Sequence, residues 1–207
     1  MSLIIYCIIL LGSVIGLTFI IERGLALCWG KVIPPEIRSA LDTCRGEEDL
    51  PMLRRMCEQH NSPISRLLLL ADAHRHWPKD ENIAALETRA RHEVSRLERG
   101  LVILEIVVGV APLLGLVGTI YGLIQLFLGM GANGMGDNTG MASGIATALY
   151  ATLLGLLTAI PSLIAWSYYN KKVESIAVEM ASLCEEFLRR QYYHTEAEAP
   201  ESAATSS

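Results

Sequence analysis

Two hydroxyls and one carboxylate mark where this chain can handle a charge. Thr119 and Thr152 each lie deep in an apolar run, and Glu105 is the only carboxylate in the run that holds Thr119. A stretch rich in turn residues, Gly129–Asn138, separates the two runs. Thr119 precedes it by about nine residues and Thr152 follows it by about twelve, so at ~1.5 Å per residue both sit ~14–18 Å in, near the middle of a bilayer. A hydroxyl both donates and accepts, so two at one depth can line a polar path for a proton or a small cation. The bland alternative is that each bonds the carbonyl four residues back in its own helix. Pro112 and Pro161 count against it, because each removes a helix hydrogen bond deep in the apolar run and leaves a carbonyl for a neighbour or water to satisfy. Glu105 lies ~21 Å along the helix from Thr119, near the end of the span. It is either a wet side chain at the boundary or a polar mouth through which an ion leaves.

The elements that must position these groups are helices with seams of small residues. Gly115, Gly118, Gly122, Gln125 and Gly129 recur at three- and four-residue spacing, and Thr119 borders their face. Gly144, Ala148, Thr152, Gly155, Ala159 and Ser162 recur in the same way. Such seams let helix backbones approach closely inside a membrane, where apolar burial between helices drives nothing.

Apolar residues make up 51% of the chain and charged residues 19%, the mixture of a membrane protein with a soluble part. Three apolar spans appear, at Leu3–Ile21, Leu101–Leu128 and Met141–Tyr169. The first has no basic leader and no small-residue cleavage pattern, so it reads as a retained helix. Thirteen of the 17 Lys and Arg residues fall between Arg23 and Arg99, and the other four are Lys171, Lys172, Arg189 and Arg190. Basic residues mark the cytoplasmic side, so the N-terminus and the turn face outward while the long loop and the tail face inward.

The loop predicts short helices at about 35–44, 48–59 and 63–76, the last with Ile64, Leu67, Leu68 and Ala71 on one face. From Asp80 to Arg99, alternating charges that include Glu93 predict an exposed helix, and with only Gly100 to interrupt it the helix should run on to 128. Val173, Ile176, Met180, Leu183 and Phe187 extend the third span's helix to about 192. No nucleophile with a base, phosphate loop or paired carboxylates is present, so the chain does not read as an enzyme. Cys57, His60, His74 and His76 do not complete a metal set. The five cysteines show no paired spacing, and a net charge of −5 gives no nucleic-acid footprint.

Ala111–Gly122 (APLLGLVGTIYG) and Gly144–Pro161 (GIATALYATLLGLLTAIP) resemble the signature of the MotA/TolQ/ExbB proton-channel family, most of all its ExbB/TolQ branch. The likeness is strong from Leu101 to Lys171 and a matter of layout elsewhere. It implies an all-α, multi-pass protein of the bacterial inner membrane, assembled as a homo-oligomeric ring, a pentamer in ExbB-like members. The expected divisions are 1–22 (first transmembrane helix), 23–100 (cytoplasmic helical loop), 101–128 (second transmembrane helix), 129–140 (periplasmic turn), 141–170 (third transmembrane helix), 171–195 (cytoplasmic extension) and 196–207 (disordered tail).

The resemblance also implies a function. The ring would surround a dimer of an ExbD/TolR-like single-span partner carrying a membrane aspartate. Proton motive force would drive envelope transport or maintenance through the pair, with a TonB/TolA-like effector beyond them. No cofactor is implied; the transported ion is H+, with Na+ as the alternative. Thr119 and Thr152 match the family's pore threonines, while Pro112 and Pro161 match residues that shape the pore helices. Gly115, Gly118, Gly122 and Gly155 lie in the same two motifs. Thr147 stands where many relatives carry Glu, in the phrase GIxEAL, so the outer end of the path has a hydroxyl in place of a carboxylate. That departure motivates an alternative, a ring that serves as a non-conducting membrane scaffold.

Overall fold

The structure is a computed structural model that describes residues 2–44, 47–133 and 138–204, with side-chain surroundings for all of these except 2, 3, 5, 47, 131–133, 138–141, 143 and 193–204. Among the described residues every regular element is helical: α1 (Ser2–Ala26), α2 (Trp29–Val32), α3 (Pro35–Thr43), α4 (Leu50–Gln59), α5 (Pro63–Ala73), α6 (Lys79–Glu98), α7 (Leu101–Asn133) and α8 (Asn138–Ala204), with a 3-10 turn at Glu47–Asp49. Three stretches are long and apolar enough to cross a membrane, Tyr6–Ala26, Leu101–Met130 and Gly144–Tyr192. The helix is the natural solution there, because lipid offers no partner for an open backbone N–H or C=O.

The chain divides into two compact units, Met1–Leu25 with Gly100–Asn170, and Ala26–Arg99 with Lys171–Ser207. The first unit holds the apolar helices. Most of its large apolar side chains point outward, among them Leu11, Leu17, Leu113, Ile120, Phe127, Leu153 and Ile164, while Ile9, Leu101 and Leu104 are buried. Much of its interior is small residues: Ala111, Ala148, Ala151, Ala159 and Ser162 are buried. This inversion of a water-soluble core suits a lipid surround, where close backbone packing holds helices together. α1 is fastened to α8 at two tyrosines. Tyr6 Oη donates to the Thr147 carbonyl at 2.8 Å, and Tyr169 Oη donates to the Ile20 carbonyl at 2.8 Å.

The second unit has a conventional apolar core. Ile37 and Leu41 of α3, Leu53 of α4, Ile64, Leu67 and Leu68 of α5, Leu86 of α6 and Ile176, Met180 and Phe187 of α8 pack together. Ser62 caps α5, its Oγ accepting the Ser65 N–H at 3.2 Å with Pro63 next at the helix start. Arg190 Nη1 donates to the carbonyls of Leu41 (2.7 Å) and Cys44 (2.9 Å), so it satisfies orphan acceptors at the end of α3.

Four expectations change. The helix expected to run from 80 to 128 is two, α6 ending at Glu98 and α7 starting at Leu101. Gly100 is buried between them, and a Cβ there would lie 1.9 Å from Arg23 Nε, so the guanidinium of α1 occupies the place of a side chain. The helix of 80–99 is not uniformly exposed: Glu93 is buried, gripped by Arg66 Nη2 at 2.6 Å and Nε at 3.1 Å, with Arg89 at 3.3 Å and Arg96 at 3.8 Å. The turn of 129–140 is shorter, since α7 reaches Asn133 and α8 begins at Asn138; residues 134–137 lie outside the described residues. The tail expected to be disordered from 196 continues as helix to Ala204, through Pro200, and 205–207 lie outside the described residues.

Candidate functional site

α7 and α8 cross where neither helix carries a side chain. A Cβ on Gly155 would lie 2.6 Å from the Ala111 carbonyl oxygen and 3.1 Å from Gly115 Cα. A Cβ on Gly115 would lie 3.0 Å from both the Ala151 carbonyl oxygen and Thr152 Cα. The two glycines therefore set the helix separation, and that separation brings Thr119 and Thr152 together.

The two hydroxyls are hydrogen-bonded to each other. Thr119 Oγ1 also lies 3.2 Å from the Gly115 carbonyl of its own helix and 3.2 Å from the Ala148 carbonyl of α8. Thr152 Oγ1 lies 3.2 Å from the Gly115 carbonyl. Thus each hydroxyl reaches the acceptor four residues before the other threonine, across the helix pair. Each has one proton to give, so the bond between the hydroxyls can run in either direction, with a carbonyl to take the remaining proton in each pattern. In one, Thr119 donates to Thr152 and Thr152 donates to Gly115. In the other, Thr152 donates to Thr119 and Thr119 donates to Ala148 or Gly115. The step between them moves no heavy atom far, and both patterns leave both hydroxyls satisfied.

The other residues singled out by sequence fall around this pair at different distances. Gly122 lies against Ala148 at the crossing, and Gly118 is buried on α7. Pro112 is half-buried and Pro161 exposed, and α7 and α8 continue through them without a break. Thr147 is exposed, five residues before Thr152, and its carbonyl accepts the Tyr6 hydroxyl. Glu105 is exposed on α7, ~21 Å from Thr119 along the helix axis, and the fold does not bring it to the hydroxyl pair. A second hydroxyl step follows on α8: Thr158 and Ser162 are buried and bond the carbonyls of Leu154 and Thr158, at 3.0 and 2.9 Å.

Sequence reasoning found the threonines but missed their carbonyl partners and Tyr6. The i−4 rule pointed at Gly115 for Thr119 and Ala148 for Thr152. It did not show that those carbonyls are shared across the crossing, which depends on a separation that only the pair of glycines permits. No group of three or more His, Cys, Asp or Glu side chains able to hold a metal ion occurs among the described residues.

Comparison with known proteins gives this geometry a setting. A model of the MotA/TolQ/ExbB proton channel family matches residues 59–182, which include α6, α7 and the crossing. An ExbB-like biopolymer transport protein of Synechocystis is 36% identical over 165 residues, 76% of this chain and 63% of the relative. A second Synechocystis ExbB-like protein is 30% identical, with 75% of both chains covered. The Tol-Pal system protein TolQ of Haemophilus influenzae is 31% identical over 112 residues, 53% of this chain and 49% of the relative. An ExbB homologue of Methanothermobacter thermautotrophicus is matched over 51% of its length, so the chain spans from 49% to 75% of the length of these relatives. With its three membrane-crossing helices, the chain is a multi-pass membrane protein and belongs to the MotA/TolQ/ExbB proton channel family, on its ExbB/TolQ branch.

Proposed function

We propose that this chain is the proton-conducting subunit of an inner-membrane motor that turns proton motive force into work on the cell envelope. The observation that carries the reading is the Thr119–Thr152 hydroxyl pair with its two interchangeable hydrogen-bond patterns. A proton accepted by one hydroxyl lets that hydroxyl release its own to the other, and the pair returns to its first pattern by rotation of the two O–H groups about their Cβ–Oγ1 bonds. The tight crossing favours H+ over Na+, because the hydroxyls are already in contact and leave no room for a cation between them.

Hydroxyls pass a proton but do not store charge, so a titratable group must come from elsewhere. An ExbD/TolR-like single-span partner with a membrane aspartate, held as a dimer inside a pentameric ring of this chain, supplies it in this reading. A TonB/TolA-like effector would take up the resulting motion. Thr147 marks the outer end of the path and Glu105 the inner end, where its exposed carboxylate can take up the departing proton. The N-terminus lies in the periplasm, and the loop and C-terminus in the cytoplasm, as the distribution of basic residues favours. Native mass spectrometry of the complex, gently extracted from its own membrane, tests the assembly. Five copies carrying two of a single-span protein with a membrane Asp support it. A bare ring that persists after crosslinking in intact cells would favour the scaffold.

A further inference from the structure

Three guanidiniums of the second unit converge on one carboxylate. Glu93 of α6 is buried, and Arg66 of α5 fills both of its oxygens, with Nε donating to Oε1 at 3.1 Å and Nη2 to Oε2 at 2.6 Å. Arg66 Nη1 is spent on Asn61 Oδ1 at 2.8 Å. One arginine therefore pairs the buried charge by itself. Two more cations still gather at it. Arg89 Nη2 and Arg96 Nη1 lie 3.3 and 3.8 Å from the same oxygen, Oε1, so these nitrogens are no more than about 7.1 Å apart. Among the described residues neither arginine donates a hydrogen bond, and neither pairs with a second carboxylate. The positions one turn from them on α6 include Ala85, Leu86, His92 and Arg99, and Glu93 is the only acidic one. Their side chains are 43% and 57% exposed. The cluster thus holds a surplus of two positive charges, open to solvent, on guanidiniums close enough to repel each other.

We propose that Arg89 and Arg96 bind a phosphate-bearing anion, with Glu93 and Arg66 as the brace behind them. A phosphate that reaches each nitrogen through a ~2.8 Å hydrogen bond spans the gap between the two guanidiniums. Arginine's planar fork suits phosphate oxygens, and every N–H of this pair is free to turn toward them. A phosphate monoester carries about −1.5 to −2 at pH 7, which matches the surplus. Glu93 holds both cations in place from one side and, being filled by Arg66, offers the anion no exposed carboxylate. Arg96 precedes Leu101, where a membrane-crossing stretch begins, by five residues, so the phosphate can come from a lipid headgroup as well as from a soluble phosphate ester. This site is separate from the threonine pair and does not depend on ion conduction.

The test uses the full-length protein with two probes at fixed ionic strength. Pyrophosphate is titrated by calorimetry into the protein in phosphatidylcholine nanodiscs, and phosphatidylglycerol retention in detergent is read by native mass spectrometry. The proposal expects saturable binding of at least one probe, and at least about tenfold weaker binding in the Arg89→Gln, Arg96→Gln double variant, which keeps the Arg66–Glu93 pair. Pyrophosphate binding identifies a soluble phosphate as the source, and phosphatidylglycerol binding alone identifies a lipid headgroup. Arg91→Gln is the control, since the exposed Arg91 pairs with Glu87 and should bind like the unaltered protein. If the double variant does not fold, each single variant must still bind measurably more weakly than Arg91→Gln. Saturable binding of neither probe, or equal affinity in the Arg89 and Arg96 variants and the unaltered protein, overturns the proposal.

Discussion

Gly155→Ala should separate the two threonines without touching either. The added methyl would sit 2.6 Å from the Ala111 carbonyl oxygen and 3.1 Å from Gly115 Cα, both on the backbone of α7. Relaxed contacts lie at about 3.5 Å, so the helices must part by roughly 1 Å at the crossing. Overpacking of this kind costs about 1–3 kcal/mol, and the better helix propensity of Ala returns up to ~1 kcal/mol. A net loss of about 1 kcal/mol is expected, read as a lower unfolding temperature in detergent. The larger effect falls on the proton relay, because an extra ~1 Å takes the 3.2 Å contacts from Thr119 to the Ala148 carbonyl and from Thr152 to the Gly115 carbonyl beyond hydrogen-bond reach, and flux should drop by about tenfold or more. Gly12→Ala and Gly109→Ala are the controls, since a Cβ at either meets nothing within 4 Å. If Gly155→Ala matched these controls in both stability and flux, the close crossing would not be what holds the relay together.

Thr119→Val and Thr152→Val keep the branched shape but lose the hydroxyl, so each should abolish the driven process while leaving the assembly's mass unchanged by native mass spectrometry. Glu93→Ala strips the buried carboxylate from Arg66, which is itself 28% exposed. The loss should therefore sit near the low end for a broken buried pair, about 2–3 kcal/mol, seen as faster amide exchange in α5 and α6. Cys57 is buried and its thiol is pushed up to about 11, first by desolvation. At pH 8 its thiolate fraction is then about 10⁻³, so iodoacetamide should label the exposed Cys28 first, and labelling of Cys57 should rise about tenfold per pH unit up to that value.

Much of the fold was legible because its signals are local. Apolar run length gave the membrane helices, Pro35 and Pro63 marked helix starts, and the spacing of Ile64, Leu67, Leu68 and Ala71 gave the buried face of α5. The stripe from Val173 to Phe187 was legible in the same way, and all five of its residues are buried. What the sequence hid depends on partners far along the chain. The Arg66 fork that buries Glu93 comes from 27 residues away, and the guanidinium that sits on Gly100 comes from α1. At the site, the spacing of small residues announced a close crossing and the two threonines announced polarity. That each hydroxyl shares the other helix's carbonyl follows from the inter-helix distance, which residue spacing along one helix does not encode.

The most direct test of the central claim is proton flux. The complex, copurified from its own membrane with whatever single-span protein accompanies it, is reconstituted in liposomes that hold a pH-sensitive dye, and an inward proton gradient is imposed. The unaltered complex should acidify the lumen, Thr119→Val and Thr152→Val should each remove that flux, and Thr152→Ser should restore part of it. Equal flux from the two valine variants and the unaltered complex would contradict a path through the hydroxyl pair.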